Sequence, residues 1–191
     1  MKVLILDGSI GPDDASKRVA SVLEEILTER KVHHEMIRLG DRKLMPCTGC
    51  RDCWTLSPGI CGINDDGMEI MRAWMSSDIV VLISRMTFGG HSSLIKRALD
   101  RLAGILMPYL IAEADGVERM ARYHRYPSML GIAVCDEIDR EETETYRMLI
   151  RQNGRTLRSG HSKSLVLWKG EPEKNVRELV ESTIMNMKVA R

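Results

Sequence analysis

Short aliphatic runs alternate with longer segments of helical period along this chain. Five such runs predict strands, at residues 2–7, 33–39, 78–84, 129–135 and 164–168. Between them, apolar residues recur at helical spacing and predict helices at residues 15–31, 66–76, 92–102, 140–157 and 172–187. Alternation of this kind is typical of βαβ units, and continuous apolar strands are buried on both faces. The sequence therefore predicts an α/β protein, a three-layer α/β/α sandwich around a five-stranded parallel sheet.

Two long segments stand outside this alternation. Residues 45–65 carry four of the five cysteines, and residues 104–127 carry three tyrosines and the arginines Arg119, Arg122 and Arg125. Loops of this length in a compact domain are usually functional, although the arginine spacing also fits a solvated helical face. Because 191 residues with 43% hydrophobic content suffice for one core, we predict a single domain over residues 1–191 with a cysteine-rich loop at 45–65.

Charge and the amino-terminal pattern narrow the class of protein. The formal net charge is only +1, so no overall field favours nucleic acid or an anionic membrane. The first apolar run ends at Asp7, far short of a secretory signal or a membrane span. We therefore expect a cytoplasmic protein without nucleic-acid or membrane partners. In a reducing compartment, clustered cysteines bind metal or do redox work more often than they form disulfides.

The segment after the first strand predicts an anion site. The chain runs Asp7-Gly8-Ser9-Ile10-Gly11 and then enters a helix, with Asp13 or Asp14 as the predicted N-cap. Backbone N–H groups and hydroxyls converge at such a helix start. The loop has neither the G-x-G-x-x-G spacing of a dinucleotide site nor the Gly-Lys-Ser/Thr of a P-loop, which disfavours a resident NAD and NTP hydrolysis.

The cysteine loop has the spacing C-x2-C-x2-C-x7-C, formed by Cys47, Cys50, Cys53 and Cys61. Four thiolates so placed can occupy the four iron corners of a 4Fe-4S cubane. A tetrahedral structural zinc, free thiols and a disulfide are the alternatives. Trp54 within the loop could shield a cluster, contact a flavin or anchor its own loop.

The third strand leads into a more specific pattern, Ser84-Arg85-Met86-Thr87-Phe88-Gly89-Gly90-His91-Ser92, followed by a helix that ends Leu99-Asp100-Arg101. It resembles the NADPH-dependent FMN reductase and iron–sulfur flavoprotein families of the flavodoxin superfamily, in which a Ser/Thr-Pro-x-Tyr-x-Gly-x-x-Ser loop lies along the flavin ring. The cysteine spacing resembles that of the iron–sulfur flavoproteins. By position, the resemblance implies flavin contacts from Ser84, Arg85, Met86, Thr87, Phe88, Gly89 and Gly90. It also implies an FMN phosphate held by Ser9 and Ser16, with Lys17 or Arg18 compensating for a missing ligand.

Several residues depart from the family pattern. Arg85 stands where these families usually have proline, and Thr87 stands where an aromatic ring usually packs on the flavin. Ala15 and Ser16 replace an Asn-Thr or Asn-Ser pair, and the segment that starts at Cys135 lacks the expected glycine pair. Flavin affinity or potential is therefore expected to differ, and the alternative is a retained fold whose flavin site has been lost.

The resemblance implies an oxidoreductase that passes electrons between a 4Fe-4S cluster and FMN, with NAD(P)H as a possible donor and small molecules or proteins as redox partners. One rival is an NAD(P)H-dependent FMN or quinone reductase without a cluster. Another is a non-catalytic electron carrier whose cysteine loop is structural. The families further imply a homodimer or homotetramer, with residues 104–127 at the interface or over the flavin.

Overall fold

The computed structural model of the chain describes residues 1–11, 15–113 and 116–189. The N-cap predicted at Asp13 or Asp14 lies outside these residues. None of the helices in the described part of the chain is both long and apolar enough to cross a membrane.

Seven strands and five α-helices are found in the described part of the chain. The strands are β1 (Lys2–Asp7), β2 (His33–Arg38), β3 (Ile79–Arg85), β4 (Leu106–Glu113), β5 (Gly116–Ala121), β6 (Ser128–Cys135) and β7 (Ser162–Trp168). The helices are α1 (Ser16–Glu29), α2 (Gly67–Met75), α3 (Ser93–Asp100), α4 (Arg140–Thr156) and α5 (Glu173–Met185). Short 3-10 turns follow β2 at Leu39–Asp41 and α3 at Arg101–Ile105.

Five strands form one parallel sheet in the order β2-β1-β3-β6-β7. Each predicted strand falls within a residue or two of an observed one, and the predicted fold class is confirmed. The order is that of flavodoxin-like proteins, in which the chain winds outward from β1 in one direction and then continues from β3 in the other.

Two hydrophobic cores cover the two faces of the sheet. Leu4 and Leu6 of β1 face a core shared with α2, α3 and α4. Val3 and Ile5 of the same strand face a second core, built against α1 and α5. Alternate residues of a strand point to opposite faces, so a strand covered by helices on both sides is apolar throughout.

Between α3 and β6, strands β4 and β5 pair in a separate antiparallel hairpin, which the sequence did not predict. The expectation of a helical face for the three arginines was wrong: Arg119 lies in β5, and Arg122 and Arg125 lie in the segment that follows it. Arg122 donates from Nε to Gly104 O at 2.9 Å, and the buried Tyr126 hydroxyl donates to Ile105 O at 2.7 Å. These side chains close the base of the hairpin.

Candidate functional site

The carboxyl ends of β1 and β3 lie side by side where the winding of the sheet reverses. Asp7 is in register with Ile83, and Gly8 N donates to Ile83 O at 2.8 Å. In open α/β sheets, ligands bind in the crevice beyond the strands at this reversal. The two loops proposed to hold a flavin are thus neighbours at the position that the topology favours.

Close packing of α3 requires a glycine at the start of the first loop. A Cβ atom on Gly8 would lie 2.4 Å from Ile95 Cγ1 and 2.7 Å from Ser92 Oγ. The absence of a side chain lets the first turn of α3 approach the end of β1. The two loops are therefore fixed against each other by packing.

The first loop contains a hydrogen-bonded group of three buried side chains, Asp7, Ser9 and Ser16. Ser9 donates to Asp7 Oδ1 from its backbone nitrogen at 2.9 Å and from its hydroxyl at 2.5 Å. Ser9 Oγ and Ser16 Oγ are 2.8 Å apart. The structure thus brings the two predicted phosphate serines together, along with an aspartate that the sequence analysis did not single out.

Lys17 lies at the start of α1 and is exposed. It lines a cavity of about 400 Å³ at the edge of the sheet, together with Asp7, Ser9, Arg38 and Asp41. The cavity places one ammonium and one guanidinium group on the side of the loop that faces β2.

The second loop folds into a tight turn over residues 87–90. Thr87 and Gly90 exchange backbone hydrogen bonds, with N···O distances of 3.3 and 2.9 Å. Phe88 and Gly89 between them have φ angles of 51° and 69°, the left-handed conformation that a two-residue hairpin turn requires. Phe88 is 87% exposed, so a large apolar ring stands at the tip of the loop without covering a core.

Ser84 and Met86 fix the base of the second loop. Ser92 N donates to Ser84 Oγ at 3.1 Å, and Met86 N donates to Val134 O at 2.8 Å. The Ser92 hydroxyl accepts from Ile95 N at 3.4 Å as the N-cap of α3. The loop is therefore held at both ends before any ligand binds.

Contact with α4 explains why position 89 is a glycine. A Cβ atom on Gly89 would lie 2.7 Å from Thr145 Cβ and 3.0 Å from Glu142 O. The space left by the missing side chain is therefore taken by α4, which accounts for the glycine without a flavin.

Arg85 bridges the second loop to the end of β6. Its guanidinium lies 2.5 Å from Asp136 Oδ2, and Lys169 Nζ lies 3.0 Å from Asp136 Oδ1. Hydrogen bonding from Lys169 and the charge of Arg85 hold the pKa of Asp136 below its usual range. The arginine that replaces the family's proline thus joins the carboxyl ends of β3, β6 and β7.

His91 follows the second loop and connects it to α4. Its Nε2 lies 3.0 Å from Asn153 Nδ2, and its ring meets the Tyr146 ring edge-on, with centroids 5.5 Å apart. Burial, with a smaller effect from Lys96, lowers the pKa of His91 to about 4. Among the described residues, His91 Nδ1 and the Tyr146 hydroxyl have no hydrogen-bond partner, and burial raises the pKa of Tyr146.

The cysteine loop gathers its four thiols around one small cavity of about 20 Å³, which Cys47, Cys50, Cys53 and Cys61 all line. Burial raises the pKa of Cys53, and the other three thiols of the loop add to the rise. All five cysteines of the chain are free, and Cys135 is buried at the end of β6. The spacing in the sequence thus corresponds to a shared location in the fold.

A buried ion pair closes the loop at its base. Arg101 donates to the two carboxylate oxygens of Asp65 at 2.7 and 2.9 Å, and the two side chains are 2% and 0% exposed. Asp65 also accepts from Met45 N at 2.8 Å and Gly67 N at 2.9 Å. Burial opposes ionisation, but the contacts with Arg101, Met45 and Gly67 outweigh it and lower the pKa of Asp65 to about 2.

Arg101 also lines the thiol cavity. Burial disfavours its charged form, yet Asp65 and the nearby Cys61 raise the pKa of Arg101. Its buried Nε atom has no hydrogen-bond partner within the described residues. A positive charge with an unused donor beside four thiols suits a centre bound as thiolates.

The thiols do not form a compact mononuclear site. Zn–S distances of about 2.3 Å in a tetrahedron place the sulfurs roughly 3.8 Å apart. In the described ranges 1–11, 15–113 and 116–189, no three His, Cys, Asp or Glu side chains are grouped closely enough to hold one metal ion. Four cysteines and Arg101 nevertheless line one cavity, so the loop brings four sulfur donors and one cation to a single place.

Trp54 anchors the loop, the third of the roles considered for it. Its Nε1 donates to Ala103 O at 2.8 Å, and the Arg119 guanidinium lies 4.3 Å from the centre of its ring. The cysteine loop is thereby attached to both the segment after α3 and the β4–β5 hairpin.

Three features of the site were missed from sequence. Asp7 ends a strand whose four preceding residues, 3–6, are apolar, and that contrast was a usable signal. Asp65 is only the last residue of the cysteine-rich segment in the sequence, and Arg101 is only part of a helix-ending pattern. Their pairing across 36 residues had no local signal. The hairpin was obscured by a register shift between Leu106 and Leu110, which interrupts the alternation.

Comparison with known proteins agrees with this geometry. An iron–sulfur flavoprotein of Methanocaldococcus jannaschii is 34% identical over 101 residues, which cover 53% of this chain and 51% of that protein. An iron–sulfur flavoprotein of Archaeoglobus fulgidus is 30% identical over 105 residues, covering 53% of this chain and 48% of that protein. The aligned region thus spans about half the length of these curated relatives.

Solved structures share the fold over almost the whole chain. An FMN-dependent NADH-azoreductase from Bacillus anthracis, in complex with FMN, has a TM-score of 0.69 at 16% identity, covering 96% of this chain and 97% of its own. An NAD(P)H:quinone oxidoreductase from Methanothermobacter marburgensis has a TM-score of 0.69 at 14% identity, covering 96% and 92%.

The sequence profile of the NADPH-dependent FMN reductase family matches residues 1–114, which include β1, the cysteine loop and the β3–α3 loop. Because that match covers more than half of the chain, this protein belongs to the NADPH-dependent FMN reductase family.

Proposed function

We propose that the chain is a single-domain FMN-dependent oxidoreductase in which the cysteine loop holds a 4Fe-4S cluster and exchanges electrons with the flavin. The observation that carries the proposal is the placement of four cysteines around one cavity at the carboxyl end of α3. The amino end of the same helix follows the flavin loop. Eight helical residues span roughly 12 Å, so one short helix connects both candidate sites.

Each part of the chain has a distinct role in this proposal. The described amides and hydroxyls of residues 84–90 are held in place by β6 and α3 to meet the flavin ring, and Ser9, Ser16 and Lys17 lie toward the phosphate. Cys47, Cys50, Cys53 and Cys61 hold the cluster, and Arg101 balances part of its negative charge. When bound, FMN accepts two electrons from a nicotinamide donor and passes them on, which no side chain does.

Metal and sulfide analysis of anaerobically purified protein tests the cluster. We expect about four irons and four acid-labile sulfides per chain, with a visible spectrum that bleaches on dithionite. The variant Cys61→Ser is expected to lose most of the iron. Cys135→Ala is the matched control, because Cys135 is buried outside the loop, and it should keep the iron content of the wild type. One zinc per chain, or no metal, would refute the cluster assignment.

A second candidate function is an NAD(P)H-dependent reductase of FMN, quinones or similar small acceptors, without a cluster. It is favoured by the family profile, which is that of NADPH-dependent FMN reductases. Steady-state oxidation of NADPH and NADH with added FMN or quinone separates the candidates. Turnover that survives Cys61→Ser unchanged supports this second function, and a negligible rate in the wild type supports a non-catalytic carrier.

We also propose that the β4–β5 hairpin is a contact between copies in a homodimer or homotetramer. Tyr109, Leu110 and Val117 are each more than 60% exposed on it, and clustered exposed apolar residues commonly mark interaction sites. Light scattering after size exclusion should give a multiple of 21.6 kDa, and Leu110→Glu should reduce it. A wild-type monomer would refute the proposal. A cytoplasmic location stays a prediction.

A further inference from the structure

Asp7 places a buried carboxylate within the loop where the flavin phosphate would bind. The residue is 4% exposed and ends β1, directly before Gly8 and Ser9. Ser9 donates to its carboxylate twice. Within the described part of the chain, no lysine, arginine or histidine forms an ion pair with this carboxylate, although Lys17 and Arg38 line the same cavity.

Both hydrogen bonds between Ser9 and Asp7 are donated by Ser9. Ser9 has one backbone hydrogen and one hydroxyl hydrogen, and Asp7 Oδ1 accepts both, at N···O 2.9 Å and O···O 2.5 Å. Ser16 Oγ lies 2.8 Å from Ser9 Oγ. Both donors of Ser9 thus point at Asp7.

A phosphate group needs the same donors. It binds through N–H and O–H groups at a helix start, and it carries a charge of about −1.5 to −2 at neutral pH. To bind here as in the family pattern, it must displace the carboxylate of Asp7 from Ser9 and then lie beside that carboxylate. Both steps oppose the phosphate, and neither affects the uncharged ring and ribityl chain of a flavin.

We propose that Asp7 sets the flavin preference of this protein by competing with the phosphate for the two donors of Ser9, so that FMN has little advantage over riboflavin. The proposal rests on the proposed flavin function and makes Asp7 a specificity-determining residue. In this account the binding energy comes mainly from the ring and ribityl contacts, and the phosphate contributes less than its two serines suggest.

The test compares two flavins on two variants of the whole chain. Flavin-free wild-type protein is titrated into FMN and into riboflavin, with quenching of flavin fluorescence as the readout. We expect the two dissociation constants to agree within about threefold. Asp7→Asn keeps the shape and the acceptor oxygen but removes the charge, and it should tighten FMN binding by roughly 10- to 100-fold while leaving riboflavin within about threefold.

Asp41→Asn is the matched control, because Asp41 lines the same cavity but is exposed and does not contact Ser9. It should change neither constant appreciably. Asp7→Ser serves as a second charge-removing variant in case Asp7→Asn folds poorly, which far-ultraviolet circular dichroism and a thermal melt will show.

The outcomes separate the two proposals. If the wild type binds FMN far more tightly than riboflavin, or if both Asp7 variants leave the FMN constant unchanged, the role of Asp7 is refuted and the flavin function stands. If neither flavin binds to the wild type or to the variants, the flavin function itself is refuted, and the role of Asp7 with it.

Discussion

The carboxylate of Asp65 and the guanidinium of Arg101 form a two-pronged hydrogen-bonded pair, closed off from solvent, at the base of the cysteine loop. Asp65 ends the loop, and its second contact, Met45 N, begins it. Arg101 follows α3 and lines the thiol cavity. The pair therefore joins both ends of the loop to the helix that leads from the flavin loop.

Removing one member of this pair should destabilise the protein strongly. Asp65→Asn leaves a buried arginine without its counter-charge, and we expect a loss of about 3–5 kcal/mol in the free energy of unfolding. Urea unfolding followed by circular dichroism measures it. Glu69→Gln is the matched control, since it removes one carboxylate from the more exposed pair with Arg42, and it should cost less than about 1 kcal/mol. Equal losses in the two variants would show that the buried pair has no special role.

The lowered pKa of Asp65 predicts that the fold loses stability in acid. The pKa of Asp65 is about 2 in the fold, below its ordinary value of 3.8. A carboxyl group with a lowered pKa stabilises the fold above its unfolded value, and that contribution is lost as the pH falls from about 4 through 2. The free energy of unfolding should fall across this window in the wild type. Asp65→Asn should show a shallower fall, and an identical slope would contradict the assignment.

His91 should stay neutral well into the acid range. Its pKa is lowered to about 4, mainly by burial, from an ordinary value of 6.5. The unfolded chain therefore takes up a proton that the folded ring does not, and stability should fall as the pH drops from about 6.5 toward 4. His91→Gln should remove that slope, and His124→Gln, at an exposed position, should keep it. An NMR titration of the His91 ring with a midpoint near 6.5 would refute the prediction.

Substitution of Gly89 should destabilise the fold through α4. Gly89→Ala places a Cβ atom 2.7 Å from Thr145 in a residue with φ of 69°, and we expect a loss of roughly 2–4 kcal/mol from strain and overpacking. Gly49→Ala is the control, because Gly49 has φ of 71° and nothing within 4 Å of the added atom, so only the backbone strain of about 1–2 kcal/mol applies. Equal losses would remove the packing explanation.

Most of the helices and strands could be predicted from the sequence, because each has a regular pattern within a short segment. An apolar run such as Ile79–Ile83 is buried on both faces wherever it lies in the sheet. Its length and its aliphatic, mostly β-branched composition were therefore enough to predict a strand. The order of strands was not readable, because the pairing of β3 with β1 and β6 depends on which faces the intervening helices cover. The β4–β5 hairpin was not predicted, because its register shift and its half-exposed residues weaken the alternation of apolar and polar side chains.

Some features of the candidate site could likewise be predicted from the sequence, and others could not. The spacing of the four cysteines and the turn residues of the β3–α3 loop are properties of short segments, and a short segment largely determines its own geometry. The sequence by itself therefore identified both loops and the family. Only the tertiary structure decided that Asp7 takes the donors of Ser9, that Asp65 meets Arg101, and that Gly89 yields its space to α4. The burial of Asp7, the pairing of Asp65 with Arg101 and the contact of Gly89 with α4 depend on residues that are distant along the chain, so no local pattern can encode them.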